Sequence, residues 1–342
     1  MNKKKIALVT GSSGQDGSYL CEFLLKKKYT VIAADRRSSR DSGWRHKELG
    51  IQNKVIYEDF DLGDITSIVA LVKKYKFDEV YNLAAQSFVK SSFITPISSS
   101  DVTGLGPLRI LDTLKYFSPK TKFYQASTSE MYGEVETSLL NEKSRFNPRS
   151  PYAVAKLFAH GITKNYRESY GMFCCSGILF NHESPLRGEE FVTRKITKQL
   201  CEISLGQRKF IELGNIYAKR DWGYAKEYVE GMWKMLQQQK PEDYVLASNT
   251  VYTVKYFLNE CFKALNFSVE WKGKGLKEIA IDKRTKKIIL RINPKYYRPT
   301  EVEYLKGSYK KAYSKLNWKP KVSLSKLINL MIDADLRRLK KN

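Results

Sequence analysis

A chain of 342 residues, 42% of them hydrophobic, can bury a substantial core and suggests one large or two coupled domains. No apolar run approaches membrane-spanning length, and Met1-Asn2-Lys3-Lys4-Lys5 leads into only a short apolar strand, so neither a membrane span nor a secretory leader is expected and the cytoplasm is the expected compartment. The formal charge of +24 suits nucleic acid, an anionic membrane or an acidic small substrate, but the lysines are spread along the whole chain, so a solvated surface is expected in place of the first two.

The first element is a buried-strand run, Ile6-Ala7-Leu8-Val9-Thr10, which opens into Gly11-Ser12-Ser13-Gly14-Gln15-Asp16-Gly17 and then into the helical periodicity of Tyr19 to Leu25. Strand, glycine turn and helix in that order make a dinucleotide-binding start. The G-x-x-G-x-x-G spacing at Gly11, Gly14 and Gly17 lets backbone N–H groups and a helix N-terminus approach a pyrophosphate. A second strand over Val31 to Ala34 ends in Asp35-Arg36-Arg37-Ser38-Ser39, where a cofactor ribose is read. Asp35 favours a free 2′-hydroxyl and NAD; two guanidiniums and two hydroxyls favour the 2′-phosphate of NADP. NADP is the expected cofactor.

Further strands are expected at Val55 to Glu58, Val80 to Ala84, Phe123 to Ser127 and Cys174 to Phe180, with helices between them. That alternation implies an α/β fold with a Rossmann-type doubly wound parallel sheet. Five cysteines in no metal-like spacing, two of them adjacent at Cys174-Cys175, read as reduced core thiols, and no metal site is expected.

Ser150-Pro151-Tyr152-Ala153-Val154-Ala155-Lys156 places a phenol and an ammonium one helical turn apart. Ser150 can cap the helix and Pro151 suits its first turn, so Tyr152 and Lys156 share a face as positions i and i+4. A nearby cation stabilises a phenolate, which is expected to lower the tyrosine pKa and let it take a hydroxyl proton, as hydride removal from an alcohol requires. Taken alone, the same pair fits a solvated helix face.

After about residue 180 the pattern loosens into loops, a helix near Arg194 to Leu205, a basic stretch from Lys272 to Lys287, a loop-like Asn293 to Pro299 and a terminal amphipathic helix from Leu324 to Leu339. The expected division is residues 1–180 as an NADP-binding domain with a returning segment near 215–250, and 181–214 with 251–342 as a smaller, mixed, less regular substrate-binding lobe.

Thr10-Gly11-x-x-Gly14-x-x-Gly17 with Tyr152-x-x-x-Lys156 resembles the extended short-chain dehydrogenase/reductase superfamily. More narrowly, Gly14-Gln15-Asp16-Gly17, Asn82-Leu83-Ala84-Ala85-Gln86-Ser87, Ser127-Thr128-Ser129-Glu130-Met131-Tyr132-Gly133, Asn181-His182-Glu183-Ser184-Pro185, Arg220-Asp221-Trp222-Gly223 and Tyr297-Arg298-Pro299-Thr300-Glu301 resemble GDP-mannose 4,6-dehydratases, with motifs over almost the whole chain. The resemblance implies C4 oxidation, water elimination across C5 and C6, and hydride return to C6. Tyr152 would take the C4 hydroxyl proton, Lys156 would hold the nicotinamide ribose, Thr128 would hydrogen-bond the C4 oxygen, and Glu130 would remove the C5 proton and help hydroxide leave C6. Glu130 discriminates, since an epimerase or plain dehydrogenase has no need of it.

The resemblance also implies cofactor contacts at Gly11, Gly14, Gln15, Asp16, Gly17, Arg36, Arg37 and Ser38, at Asp61 and Leu62 on the adenine side, at Leu83, Ala84, Ala85 and Ser87 along the ribose and nicotinamide path, and at His182 and Arg187. It implies substrate contacts at Ser87, Asn181, Val192, Lys195, Asn215, Arg220, Arg298 and Glu301, with the two arginines on the diphosphate. Leu186, Phe88 and Ser98 depart from some family members. The segment Arg40-Asp41-Ser42-Gly43-Trp44-Arg45 is expected near the NADP phosphate, reaching a neighbouring subunit of a homo-oligomer, tetramer or dimer. The sugar is GDP-D-mannose or GDP-D-glycero-D-manno-heptose, which no residue decides. The rivals are a same-fold epimerase or reductase, a basic nucleic-acid-binding Rossmann protein, and an inactive homologue serving as a scaffold.

Overall fold

The computed structural model describes residues 4–39, 43–134, 139–297, 302 and 304–340. Its strands, in chain order, are β1 (Ile6–Thr10), β2 (Thr30–Asp35), β3 (Ile56–Asp59), β4 (Glu79–Asn82), β5 (Lys122–Thr128), β6 (Cys174–Leu179), β7 (Asn181–Glu183), β8 (Ile211–Leu213), β9 (Lys219–Tyr224), β10 (Tyr244–Leu246), β11 (Val251–Thr253), β12 (Val269–Lys272), β13 (Ile279–Asp282), β14 (Ile288–Ile292) and β15 (Tyr304–Leu305). Seven of them form one parallel sheet in the order β10-β6-β5-β4-β1-β2-β3. The order reverses beside β1, where an open α/β sheet leaves a crevice at its strand ends.

Strands covered on both faces read as near-continuous apolar runs, because each face needs its own core. Ala7, Val9, Val31, Ala33, Tyr81, Tyr124 and Cys175 face the helices Gln15–Lys26 and Ala225–Leu236. The alternate residues Leu8, Ile32, Ala34, Val80, Phe123 and Cys174 face the helices Ile65–Lys74 and Gly106–Phe117. Cys174 and Cys175 therefore point to opposite faces, and all five cysteines are free and buried.

β4 stops at Asn82, two residues short of the expected Ala84. The backbone N–H groups of Leu83 and Ala84 both donate to the Thr10 hydroxyl at 3.2 Å, which peels the chain off the ladder and brings it against the glycine turn. Gly11 has φ +67°, and a Cβ there would lie 2.9 Å from the Ala84 backbone. A Cβ on Gly17 would lie 2.3 Å from the Gly11 carbonyl. Only glycine permits both approaches.

The lobe expected to be loose is regular. The sheet β12-β13-β14-β8 packs with the helices Val192–Ser204, Val254–Ala264 and Leu324–Leu339 around Leu200, Phe257, Leu258, Leu290, Leu327 and Met331. The basic stretch hides β13 because its buried positions are Ala280 and Asp282. Asp282 accepts from the Thr285 hydroxyl at 2.8 Å to close the following turn, so a buried carboxylate stands where alternation calls for an apolar residue. A second small sheet, β11-β9-β15 with β7 on β9, joins the lobe to the parallel sheet. Among the described residues no helix is long and apolar enough to cross a membrane, and no cluster of potential metal ligands is found.

Candidate active site

β5 ends at Thr128, which caps a 3-10 turn, Ser129–Met131, by accepting from the Glu130 N–H at 3.3 Å. The helix Pro151–Tyr170 begins as its sequence dictates, with Ser150 Oγ accepting from the Ala153 N–H at 3.1 Å and Pro151 in the first turn. These elements bring Thr128, Glu130, Tyr152 and Lys156 onto one narrow cleft of about 160 Å³. All but Thr128 are more than nine-tenths buried or at that limit: Glu130 is 9% exposed, Tyr152 8% and Lys156 4%.

Burial governs the charges. The Lys156 ammonium donates to the Ala126 carbonyl at 2.7 Å, yet loss of water pulls its pKa down to about 8, against a smaller upward pull from Asp16. The expectation that Lys156 lowers the tyrosine pKa is corrected. Desolvation pushes the Tyr152 phenol up and the nearby Glu130 charge pushes it further, while a Thr128 hydrogen bond and Arg187 only partly oppose them. Lys156 Nζ lies 5.9 Å from the Tyr152 ring centroid with a donor bond committed to Ala126.

The same cleft is lined by Leu83, Ala85, Ser87, Asn181, His182 and Arg187, and by Asp16 from the glycine turn. Asp16, partly buried, and the buried His182 form a pair, Oδ2 to Nε2 at 2.7 Å, in which His182 Nδ1–H donates to Phe180 O at 2.6 Å. The pair holds His182 above its ordinary pKa despite desolvation, and Asp16 below its own. Gln15 bonds the His182 carbonyl at 3.1 Å and the Ser184 hydroxyl at 2.7 Å, so Gln15 and Asp16 both fasten the turn to β7. Arg187 pairs with Glu183 at 3.1 Å and lies 3.5 Å over the Phe191 ring. Phe191, Ala126 and Phe180 also line the cleft; none carries a motif that would have singled it out.

The remaining cofactor positions run along the strand ends. Gly14 offers no side-chain cap to the helix Gln15–Lys26, which leaves first-turn N–H groups for an anion. Arg36, Arg37 and Ser38 stand exposed just past β2. Past β3, Asp61 accepts from the Gly63 N–H at 2.9 Å, and the buried Leu62 accepts from Arg109 at 2.9 Å. Close glycines, an uncapped helix start and two exposed guanidiniums fit a dinucleotide with an extra phosphate.

The substrate positions are dispersed. Lys195 is in a separate hollow of about 330 Å³ with Glu212 and Tyr296. It donates to Glu212 O at 2.7 Å and lies 3.4 Å over the Tyr296 ring, and desolvation takes it down to about 8. Arg220, on β9, is buried and donates to Lys219 O at 2.9 Å. Asn215 accepts from the Tyr217 N–H at 2.9 Å, and Val192 opens its helix. Arg298, Glu301 and the segment 40–42 lie outside the described residues.

Comparison with known proteins bears on this arrangement. Residues 8–331 match the family model described as GDP-mannose 4,6 dehydratase. The chain is 47% identical to GDP-mannose 4,6 dehydratase of Drosophila melanogaster, covering 100% of this chain and 88% of that protein. It is 45% identical to GDP-mannose 4,6-dehydratase of Yersinia enterocolitica, covering 99% and 95%. Among solved structures, dTDP-glucose 4,6-dehydratase from Bacillus anthracis in complex with NAD superposes with a TM-score of 0.81 at 19% identity, over 98% of each chain. UDP-glucose 4-epimerase of Thermus thermophilus in complex with NAD superposes at 0.80 and 24% identity, over 96% of this chain and 98% of that one. The structural likenesses establish the fold. Match and identity over essentially the whole length establish more: the chain belongs to the GDP-mannose 4,6-dehydratase family.

Proposed function

We propose that this chain, a nucleotide-sugar 4,6-dehydratase by family, converts GDP-D-mannose to the GDP-4-keto-6-deoxy sugar with a retained NADP. The observation that carries the reading is Glu130, a carboxylate buried in the same cleft as Thr128, Tyr152 and Lys156. Bound NADP would supply the hydride acceptor and donor and, when oxidised, a positive charge that opposes the upward pull of burial on the Tyr152 phenol. Tyr152 takes the C4 hydroxyl proton, and Thr128, which lines the same cleft, orients the same oxygen. Lys156 fixes the ribose and adds positive charge to the cleft. With C4 a ketone, the C5 proton is acidic, and the Glu130 carboxylate removes it and passes it to the C6 hydroxyl, which leaves as water; with the hydride returned to C6, the proton that Tyr152 took from the C4 hydroxyl goes to C5, which restores Tyr152 and completes the 6-deoxy product. Arg36 and Arg37 read the 2′-phosphate; His182 and Arg187 flank the cofactor path; Lys195, Asn215 and Arg220, with Arg298 and Glu301, hold the nucleotide.

We propose further that the chain assembles as a homo-oligomer in the cytoplasm, where its five buried thiols stay reduced. Ile94 and Ile97 are 75% and 85% exposed, and Val154 and Phe158 on the helix Pro151–Tyr170 are exposed as well. The test of the activity is incubation with GDP-mannose and, separately, the GDP-heptose, followed by mass spectrometry. Loss of one water without added reductant is expected. Net consumption of NADPH, or an isomer of unchanged mass, would overturn the reading in favour of a reductase or epimerase.

A further inference from the structure

Asp35 stands at the carboxyl end of β2, where a carboxylate that reads a ribose diol belongs. Such a carboxylate accepts from the 2′-hydroxyl, and grips both hydroxyls only when each takes its own oxygen. Here Oδ2 is engaged: the Ser12 hydroxyl donates to it in a short hydrogen bond, and the Ser13 N–H donates at 2.9 Å.

The two serines are themselves held. Ser12 is fully buried, and its carbonyl accepts from the Ser18 hydroxyl at 3.1 Å and from His46 Nε2 at 2.9 Å. A carbonyl only accepts, so His46 carries its proton on Nε2. Its Nδ1, kept neutral by burial that lowers the pKa, accepts from the Tyr57 hydroxyl at 2.8 Å. Arg45, from the same short helix Trp44–Glu48, donates to Ser13 O at 3.0 Å. Both serine carbonyls thus accept from the helix Trp44–Glu48 while both serines donate to Asp35.

We propose that Ser12, positioned by His46, sets cofactor selectivity by turning the Asp35 carboxylate into the glycine turn. In that position Asp35 cannot serve the diol of NAD with both oxygens, and its charge is held away from the 2′-phosphate of NADP, which the exposed Arg36 and Arg37 read. The inference rests on the NADP reading above. It explains how an acidic residue and two arginines coexist at one strand end: the acid is a structural acceptor, and the cations face the ligand.

The test is calorimetric titration of the whole purified chain, first freed of retained cofactor, with NADP and with NAD, which reads selectivity without turnover. If the wild type binds NAD as tightly as NADP, the NADP reading itself fails. If it prefers NADP, Ser12→Ala should lower the NADP-to-NAD affinity ratio by about ten-fold or more, the scale of a lost hydrogen bond to a charged group, because the released carboxylate meets the phosphate. Ser12→Ala with Asp35→Asn should restore the ratio, which a merely structural defect would not. A ratio that stays within about two-fold of wild type in Ser12→Ala, or one the second substitution leaves low, overturns the proposal. Should Ser12→Ala not fold, Asp35→Asn alone decides: NAD affinity unchanged within about two-fold supports the lock, and a loss of about ten-fold shows that Asp35 reads the diol.

Discussion

Thr128, Glu130, Tyr152 and Lys156 come from two elements that pack against each other, β5 with its turn and the helix Pro151–Tyr170. Lys195 comes from a helix of the other lobe, and Asn215 and Arg220 come from a loop and from strand β9, in the small sheet that joins that lobe to the parallel sheet. In the first set water is largely excluded, which pushes the Tyr152 phenol up and the Lys156 ammonium down, and the proposed function gives each group a chemical task. In the second, the described side chains rest on backbone partners such as Glu212 O and Lys219 O, as suits groups that hold a ligand without reacting. Substitutions in the cleft should therefore act on kcat, and substitutions in the lobe on KM.

The largest effect tests that division within the cleft. Glu130→Gln should lower kcat by roughly 10²–10⁴-fold, the range of a lost acid–base group, while the absorbance of reduced nicotinamide builds up after GDP-mannose is added. Tyr152→Phe should abolish both product and that absorbance. Near-normal turnover in Glu130→Gln would remove the elimination step from Glu130 and leave the cleft no different from that of a simple oxidoreductase.

Lys156 gives the next effect, with a sign that runs against intuition. Its pKa falls from 10.5 to about 8 on burial, so the unfolded chain binds the proton more tightly than the folded one. Stability then rises with pH between those values, by about 3–4 kcal/mol at most, at about 1.4 kcal/mol for each unit. Denaturant unfolding of wild type and Lys156→Met should show the wild type gaining on the variant from pH 8 to 10.5. Its kcat should fall over the start of that window as the ammonium is lost. A flat difference would mean that Lys156 is not desolvated in solution.

The two regions also differ in how far their chemistry could be read from residues alone. Ser150, Pro151, Tyr152 and Lys156 lie within seven positions, and local rules of capping and i,i+4 spacing fix their relation. Glu130 follows β5 by two residues, so its place at the strand ends was legible too. The direction of the Tyr152 pKa was not, because burial depends on Leu179, Phe180 and Arg187 crossing from elsewhere. Asp16 and His182 are 166 residues apart, and the engagement of Asp35 by Ser12 depends on a turn geometry that a list of motifs does not contain. In the lobe, β13 escaped notice because Asp282 occupies a buried position, and long-range pairing of β14 with β8 has no local signature.

Lys195 tests the lobe side. Lys195→Met should raise KM for GDP-mannose by roughly ten- to a hundred-fold with kcat nearly unchanged, the scale of one charged hydrogen bond. Because burial takes this ammonium to about 8, wild-type KM should rise above that pH while the variant's KM stays flat. A fall in kcat in place of the KM effect would erase the contrast between the two regions.

The smallest effect concerns the pair that fastens the glycine turn to β7. His182 is raised from 6.5, burial being outweighed by Asp16, and Asp16 is lowered from 3.8 by the same partner. A raised histidine stabilises below its unfolded value and loses that contribution as pH climbs through the folded one; a lowered aspartate stabilises above its unfolded value and loses it as pH falls. The pair is therefore worth most between about pH 4 and 6.5. Asp16→Asn should cost on the order of 1–3 kcal/mol there and less toward pH 8, as read from denaturant midpoints. NMR titration gives the sharper result, since in Asp16→Asn desolvation acts on His182 with little opposition and its pKa should cross from above 6.5 to below it. Were it to stay high, Asp16 would not be the charge that holds the histidine, and the turn would be tied to β7 chiefly through Gln15.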